Sequence, residues 1–93
     1  MEIALYDGQR TYWVELEYYN SILELVIWIV PALMPGATYT TEMLLGPDFW
    51  TPLDDAGKQL VGRCVSHMVR HGRLPLRRVG CHHRHPVRYE LIT

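Results

Sequence analysis

One stretch narrows the possible folds more than any other: TPLDDAGKQLVGRCVSHMVRHG, residues 51–72. Leu53, Gly57, Leu60, Val61, Cys64, Val65, Met68 and Val69 recur at helical spacing and form one apolar stripe. Gln59, Arg63, Ser66 and Arg70 fall on the opposite face. Thr51 suits an N-cap and Pro52 the first helical position. Asp54 and Asp55 suit the positive end of the helix dipole, and Gly72 suits a C-terminal stop. The pattern predicts one long helix over about residues 52–71, with a break at DDAG as the alternative, since Gly57 weakens a helix interior. A stripe of this kind must be buried, so the rest of the chain has to supply a core.

The preceding residues supply it. The runs IALY (3–6) and YWVELEY (12–18) flank DGQR, a turn-like stretch with Gly8. Tyr12, Val14, Leu16 and Tyr18 alternate with Trp13, Glu15 and Glu17, the period of a half-buried strand. These runs predict a β-hairpin. Ser21 followed by Glu24 matches a capping box, which predicts a helix from Ile22, kinked or ended by Pro31 and closed by Pro35 and Gly36. Residues 22–34 are apolar nearly all round, too short for a bilayer span of about 20 residues. They read as a core helix with a second apolar face, which suits a homodimer through 22–34. TTEMLLG predicts a short helix capped by Thr40 or Thr41 and ended by Gly46 and Pro47. At the C-terminal end, RLPLRRV and VRYELI read as a two-stranded ribbon, with Leu74 and Leu76 on one face and Val87, Tyr89 and Leu91 on another, joined by a loop from Gly80 to Pro86. Ninety-three residues of which 48% are hydrophobic make one α+β domain: a hairpin and core helix over 1–36, then a helix–ribbon unit over 37–93.

The net charge of −1 hides an asymmetry. Residues 1–56 hold nine acids and one base, a net of −8, while residues 57–93 hold eight bases and one acid, a net of +7. Such a split points to a charged partner, or to the two parts facing each other. MEIALYDGQR lacks the basic start and apolar run of a signal peptide, so a cytoplasmic location is expected. Two cysteines do not make a disulfide framework, and a Cys64–Cys81 bridge is not expected in that compartment.

The segments TTEMLLG, LVGRCVSHMVRHGRLPL and VRYEL run as short helix, turn, longer helix, Gly, strand, loop, strand. Over about residues 39–92 this order resembles the winged helix-turn-helix superfamily. The resemblance implies that the long helix contacts nucleic acid and that the ribbon is a wing. In such domains base contacts usually come from the N-terminal part of that helix. Here that part carries Asp54 and Asp55, with Asp48 just before, and all three repel phosphates. The bases lie instead at Lys58, Arg63 and Arg70 and in the wing at Arg73, Arg77, Arg78, Arg84 and Arg88. Binding would then rest on phosphate contacts and be salt-sensitive.

Three functions are therefore weighed. The first is a small non-enzymatic regulator holding nucleic acid on that basic set. The second is a protein-interaction or inhibitor module, of phage or mobile-element type, using the acidic, aromatic part: Glu15, Glu17, Asp48, Trp50, Asp54 and Asp55. The third is a zinc-stabilised protein. Cys64, His67 and His71 sit at i, i+3 and i+7, and Cys81 and His83 could add ligands from the loop, but their spacing does not match usual zinc-finger pairs. Cys64 also belongs to the buried stripe, so no cofactor is expected. Adjacent Cys81 and His82 suggest no nucleophile–base pair, because neighbouring strand residues point to opposite faces. Gly46, Gly57, Gly62 and Gly72 make no phosphate loop, and an enzyme is not expected.

Overall fold

In the computed structural model, which describes residues 1–6, 8–80 and 86–92, the chain opens with the expected hairpin. Strand β1 (Glu2–Tyr6) pairs antiparallel with β2 (Thr11–Glu15) in the register Ile3 to Val14 and Leu5 to Tyr12. Directly paired residues share a face. Leu5 and Val14 are therefore buried together, with Ile3 and Tyr12 packed against the same core. The opposite face carries Ala4 and Trp13, and Trp13 is exposed.

Helix α1 (Leu16–Ile29) begins six residues before the predicted Ile22. Residues 16–18, read above as strand, are helical. Tyr19, Ile22 and Val26 follow at i, i+3 and i+7 and are all fully buried, so one continuous stripe runs across Ser21. Burial of Tyr19 draws its turn into the helix. Ser21 is consequently not a cap; its hydroxyl donates to the Glu17 carbonyl one turn back (2.9 Å). Pro31 ends the helix as predicted, inside a 3-10 turn (Val30–Ala32).

A short strand, β3 (Thr38–Thr40), follows, which no alternation announced. Thr40 then caps α2 (Thr41–Leu45), its hydroxyl accepting from the Met43 amide, and Gly46 closes α2 at φ +84°. Pro47 opens a single-turn helix, α3 (Pro47–Trp50), that was not anticipated.

The long helix α4 (Asp55–Arg70) is shorter than the predicted 52–71. Thr51 and Pro52 do not start it, because the Thr51 amide closes α3 on the Pro47 carbonyl. The break at DDAG is the boundary. Asp54 is the N-cap, and its carboxylate accepts from the Gly57 amide at 2.7 Å. A Cβ on Gly57 would lie 3.1 Å from that same carboxylate oxygen, so the glycine leaves room for the cap. Asp54→Ala should therefore destabilise the domain by about 1 kcal/mol, measured as a shift of the chemical-denaturation midpoint at unchanged slope. Gly72 (φ +69°) ends α4: its amide reaches the Val69 carbonyl and the Arg73 amide the Met68 carbonyl, a Schellman pattern.

Strands β4 (Leu76–Val79) and β5 (Arg88–Leu91) are antiparallel, and β5 also pairs with β3, giving the order β3-β5-β4. Val61, Cys64, Val65 and Met68 of α4, all fully buried, meet Tyr19, Ile22 and Val26 of α1, Leu44 of α2 and Leu76 and Tyr89 of the sheet in one core. Among the described residues, no helix is long and apolar enough to cross a membrane.

Candidate functional site

The solvent side of α4 is the floor of a groove of about 800 Å³. Gln59, Arg63, Ser66 and Arg70 line it, the four residues placed together by helical spacing, and Gly62 lies between them. A Cβ on Gly62 would meet nothing within 4 Å, so the missing side chain deepens the floor. Thr40, Thr41, Glu42 and Trp50 also line the groove, as do Arg78 of β4 and Val87 and Tyr89, and Thr40 of β3 lies beside β5 in the same sheet. Arg63, Arg70 and Arg78 thus line one concavity from two elements, and among the described residues its lining holds one carboxylate, Glu42.

Strand geometry separates Arg78 from its neighbour. Arg78 pairs across from Tyr89, on the face turned to α4, whereas Arg77 pairs across from Glu90 on the outer face. There Arg77 forms both a hydrogen bond and an ion pair with Glu90, the one acid of the basic half. Arg88 alternates with Tyr89 and shares that outer face.

The hairpin lies against two of the groove's arginines, around a separate small cavity that Tyr6 and Tyr12 line with Arg63 and Arg70. The Arg63 guanidinium lies 3.9 Å from the centre of the Tyr12 ring. Arg70 donates to the Tyr6 carbonyl at 3.0 Å. A ring face and a carbonyl oxygen both attract a guanidinium, so these contacts aim the two side chains. Lys58 sits 5.8 Å from the Trp50 ring centre, and Arg73 lies 5.4 Å from that of Tyr19. Arg84 lies outside the described residues. Burial holds the Tyr89 hydroxyl above its ordinary pKa, with a Ser66 hydrogen bond and the Arg78 and Arg70 charges pulling the other way. The cationic character of the groove is therefore felt at its inner wall.

The acidic set does not form a comparable site. Glu15 pairs with the N-terminal ammonium at 3.7 Å, and Glu17 lies in the first turn of α1. Asp48 and Asp55 occupy the first turns of α3 and α4, and Asp54 is a cap. Helix-end placement gives Asp48, Asp54 and Asp55 structural reasons to be there. Trp50 leaves this set and belongs to the groove.

The metal candidates are likewise apart in role. Cys64 is fully buried, and burial pushes its pKa up to about 11, which disfavours the thiolate a metal or a nucleophile needs. His67 Nδ1 shares a hydrogen bond with the Tyr19 hydroxyl (2.8 Å), and its ring stacks at 4.2 Å on His71. Among the described residues no group of three His, Cys, Asp or Glu side chains is arranged to hold a metal; Cys81 and His83 lie outside them. On α1 the predicted second apolar face is exposed at Ile27 and Trp28, with Met34 beyond the 3-10 turn.

His67 gives the fold a pH dependence. Desolvation by burial lowers its pKa below 6.5, and the nearby His71, Arg73 and Arg70 charges lower it further. The unfolded chain therefore takes up this proton at higher pH than the native state does. The associated stability is present above about pH 6.5 and is lost as pH falls through the lower native pKa. The melting temperature should drop between neutral pH and pH about 5.5, and drop less in His67→Gln.

Searches of known protein families, curated proteins and solved structures find nothing that matches this chain.

Proposed function

We propose that this chain is a small non-enzymatic, cytoplasmic nucleic-acid-binding regulator whose contact surface is the groove over α4. The observation that carries this reading is that Arg63, Arg70 and Arg78 line one concavity together with Gln59 and Ser66. Guanidinium groups suit bidentate contacts to phosphate, and amide and hydroxyl side chains supply further backbone contacts. The order α1, β3, α2, α3, α4, β4, β5, with the sheet order β3-β5-β4, supports the resemblance to winged helix-turn-helix domains. Arg77 and Arg88, on the outer face of the sheet, and Lys58 and Arg73, stacked on rings, have secondary parts in it.

Fluorescence anisotropy with labelled single-stranded and duplex oligonucleotides tests the proposal at about 50 mM salt, where backbone contacts are strongest. Binding that weakens as salt rises is the expected result. Undetectable binding to both under those conditions removes it.

A second reading keeps one specific observation in its favour. Trp28 is 85% exposed, and tryptophan is a frequent anchor at protein interfaces. In that reading the N-terminal part engages a protein, either a second copy or another chain. Sedimentation of the wild type beside Trp28→Ala separates the two: a dimer that becomes a monomer supports self-association.

A further inference from the structure

We infer that the groove over α4 takes a single strand of nucleic acid in preference to a duplex. The inference rests on the nucleic-acid reading above and adds the class of ligand. Its first support is shape. Docking of a helix into a duplex needs a projecting helix, because a helix with its side chains, roughly 10–12 Å across, fills a major groove about 12 Å wide. Here the solvent face of α4 lines a concavity of about 800 Å³ that it shares with Trp50 of α3 and with Arg78 and Tyr89 of the sheet, and the hairpin contacts Arg63 and Arg70 of that face at Tyr12 and Tyr6.

Charge is the second support. In helix-first docking the N-terminal end of α4 leads into the duplex. That end carries Asp54 and Asp55, both exposed, with Asp48 in the preceding helix, which oppose entry between two phosphate rows. The positive charge lies further along, on the floor and one wall of the groove. A strand running along the floor meets the charges it needs and stays clear of the acidic end.

The third support is the pairing of cations with an aromatic wall. Single-strand sites combine a positive groove that follows the backbone with rings on which bases stack. Trp50, half-buried at the end of α3, lines the same concavity as Arg78, Val87 and Tyr89. Residues 59 to 70 span about 16 Å at the helical rise, and Arg63 and Arg70 lie two turns apart along it. That length holds about five phosphates at the spacing of one strand. Glu42, also in the lining, disfavours a phosphate beside it.

The test uses the full chain and three labelled probes at about 50 mM salt: a thymidine single strand of about 12 nucleotides, a mixed-sequence duplex of the same length, and an oligoglutamate peptide. The single strand should bind at least ten-fold tighter than either other probe. Its affinity should fall with salt at a logarithmic slope of about −2, as for three neutralised phosphates on a single strand. Gly62→Leu fills the floor of the groove where a side chain meets open space. It should weaken single-strand binding at least ten-fold while the melting temperature stays the same or rises, since leucine is a better helix former than glycine. Arg78→Gln, at an exposed position, should weaken it in the same direction, so the inference does not hang on one variant.

A duplex bound as tightly as the strand overturns the single-strand inference and leaves the nucleic-acid reading standing. Absence of binding to both nucleic acids overturns both. Oligoglutamate bound as tightly as the strand overturns both by pointing to an acidic protein segment. Unchanged binding by Gly62→Leu and Arg78→Gln overturns the groove as the location.

Discussion

Arg78→Glu should weaken nucleic-acid binding by ten-fold or more at low salt, and Arg77→Glu should weaken it far less. These residues are adjacent in sequence, and charge alone treats them as equivalent. The sheet does not. Arg78 lies across from Tyr89 and faces the groove with Arg63 and Arg70. Arg77 is turned to the outer face and bound to Glu90. A lost charged hydrogen bond amounts to about 1.5–3 kcal/mol, which is at least ten-fold in affinity, and the introduced carboxylate adds repulsion. Arg77→Glu replaces an exposed ion pair of about 0–1 kcal/mol, and its effect on a ligand in the groove is long-range and screened by salt. Anisotropy titrations of both variants at two salt concentrations measure the contrast. For Arg78→Glu the slope of affinity against salt should fall by about one. Equal losses in the two variants would mean that net charge, and not the groove, sets the affinity.

The largest loss of stability is expected at Tyr19. Its side chain is fully buried where α1 meets α4, and its hydroxyl is bonded to His67. Tyr19→Ala removes the ring and leaves a cavity, a change of about 3–5 kcal/mol for a buried aromatic. Against a total of about 5–15 kcal/mol for a typical domain, that is enough to leave much of the chain unfolded at physiological temperature. Tyr19→Phe keeps the ring and removes the hydroxyl, a change of about 1 kcal/mol. The melting temperature of the Phe variant should fall by about 4–8 °C. Thermal and urea melts of the two variants separate the contribution of the ring from that of the hydrogen bond. The Phe variant should also alter the pH dependence, because His67 loses the partner of its Nδ1 atom.

Elements whose signals are local were legible in the chain. The hairpin announced itself through alternation around a glycine turn, and the α4 stripe through four buried residues at helical spacing. Gly46 and Gly72 stop their helices at positive φ as their positions imply. The misread boundaries have a common cause. Ser21 and Thr51 are both chemically suited to cap a helix, and neither does so, because a neighbouring contact is stronger. At Ser21 it is the burial of Tyr19 one turn earlier. At Thr51 it is the closure of α3, which leaves Asp54 to cap α4. Strand β3 was not legible, since three residues carry too short an alternation and exist as a strand through pairing with β5.

The site divides in the same way. Gln59, Arg63, Ser66 and Arg70 could be aligned from spacing alone, because a helix fixes side-chain direction every 3.6 residues. Spacing could not add Trp50 and Arg78 to that line, nor subtract Arg77, which depends on the register of β4 with β5. The run of arginines and histidines after residue 72 gave the sign of the charge but not its address. By itself, the sequence determined the hairpin, the helices α1, α2 and α4 and the basic face of α4, all products of contacts within a few residues. Only the tertiary structure decided that this face is a groove, that the hairpin aims two of its arginines, and that one of two neighbouring arginines on β4 turns toward it. Those features arise from strand register and from contacts between residues as much as 64 positions apart, which local pattern does not encode.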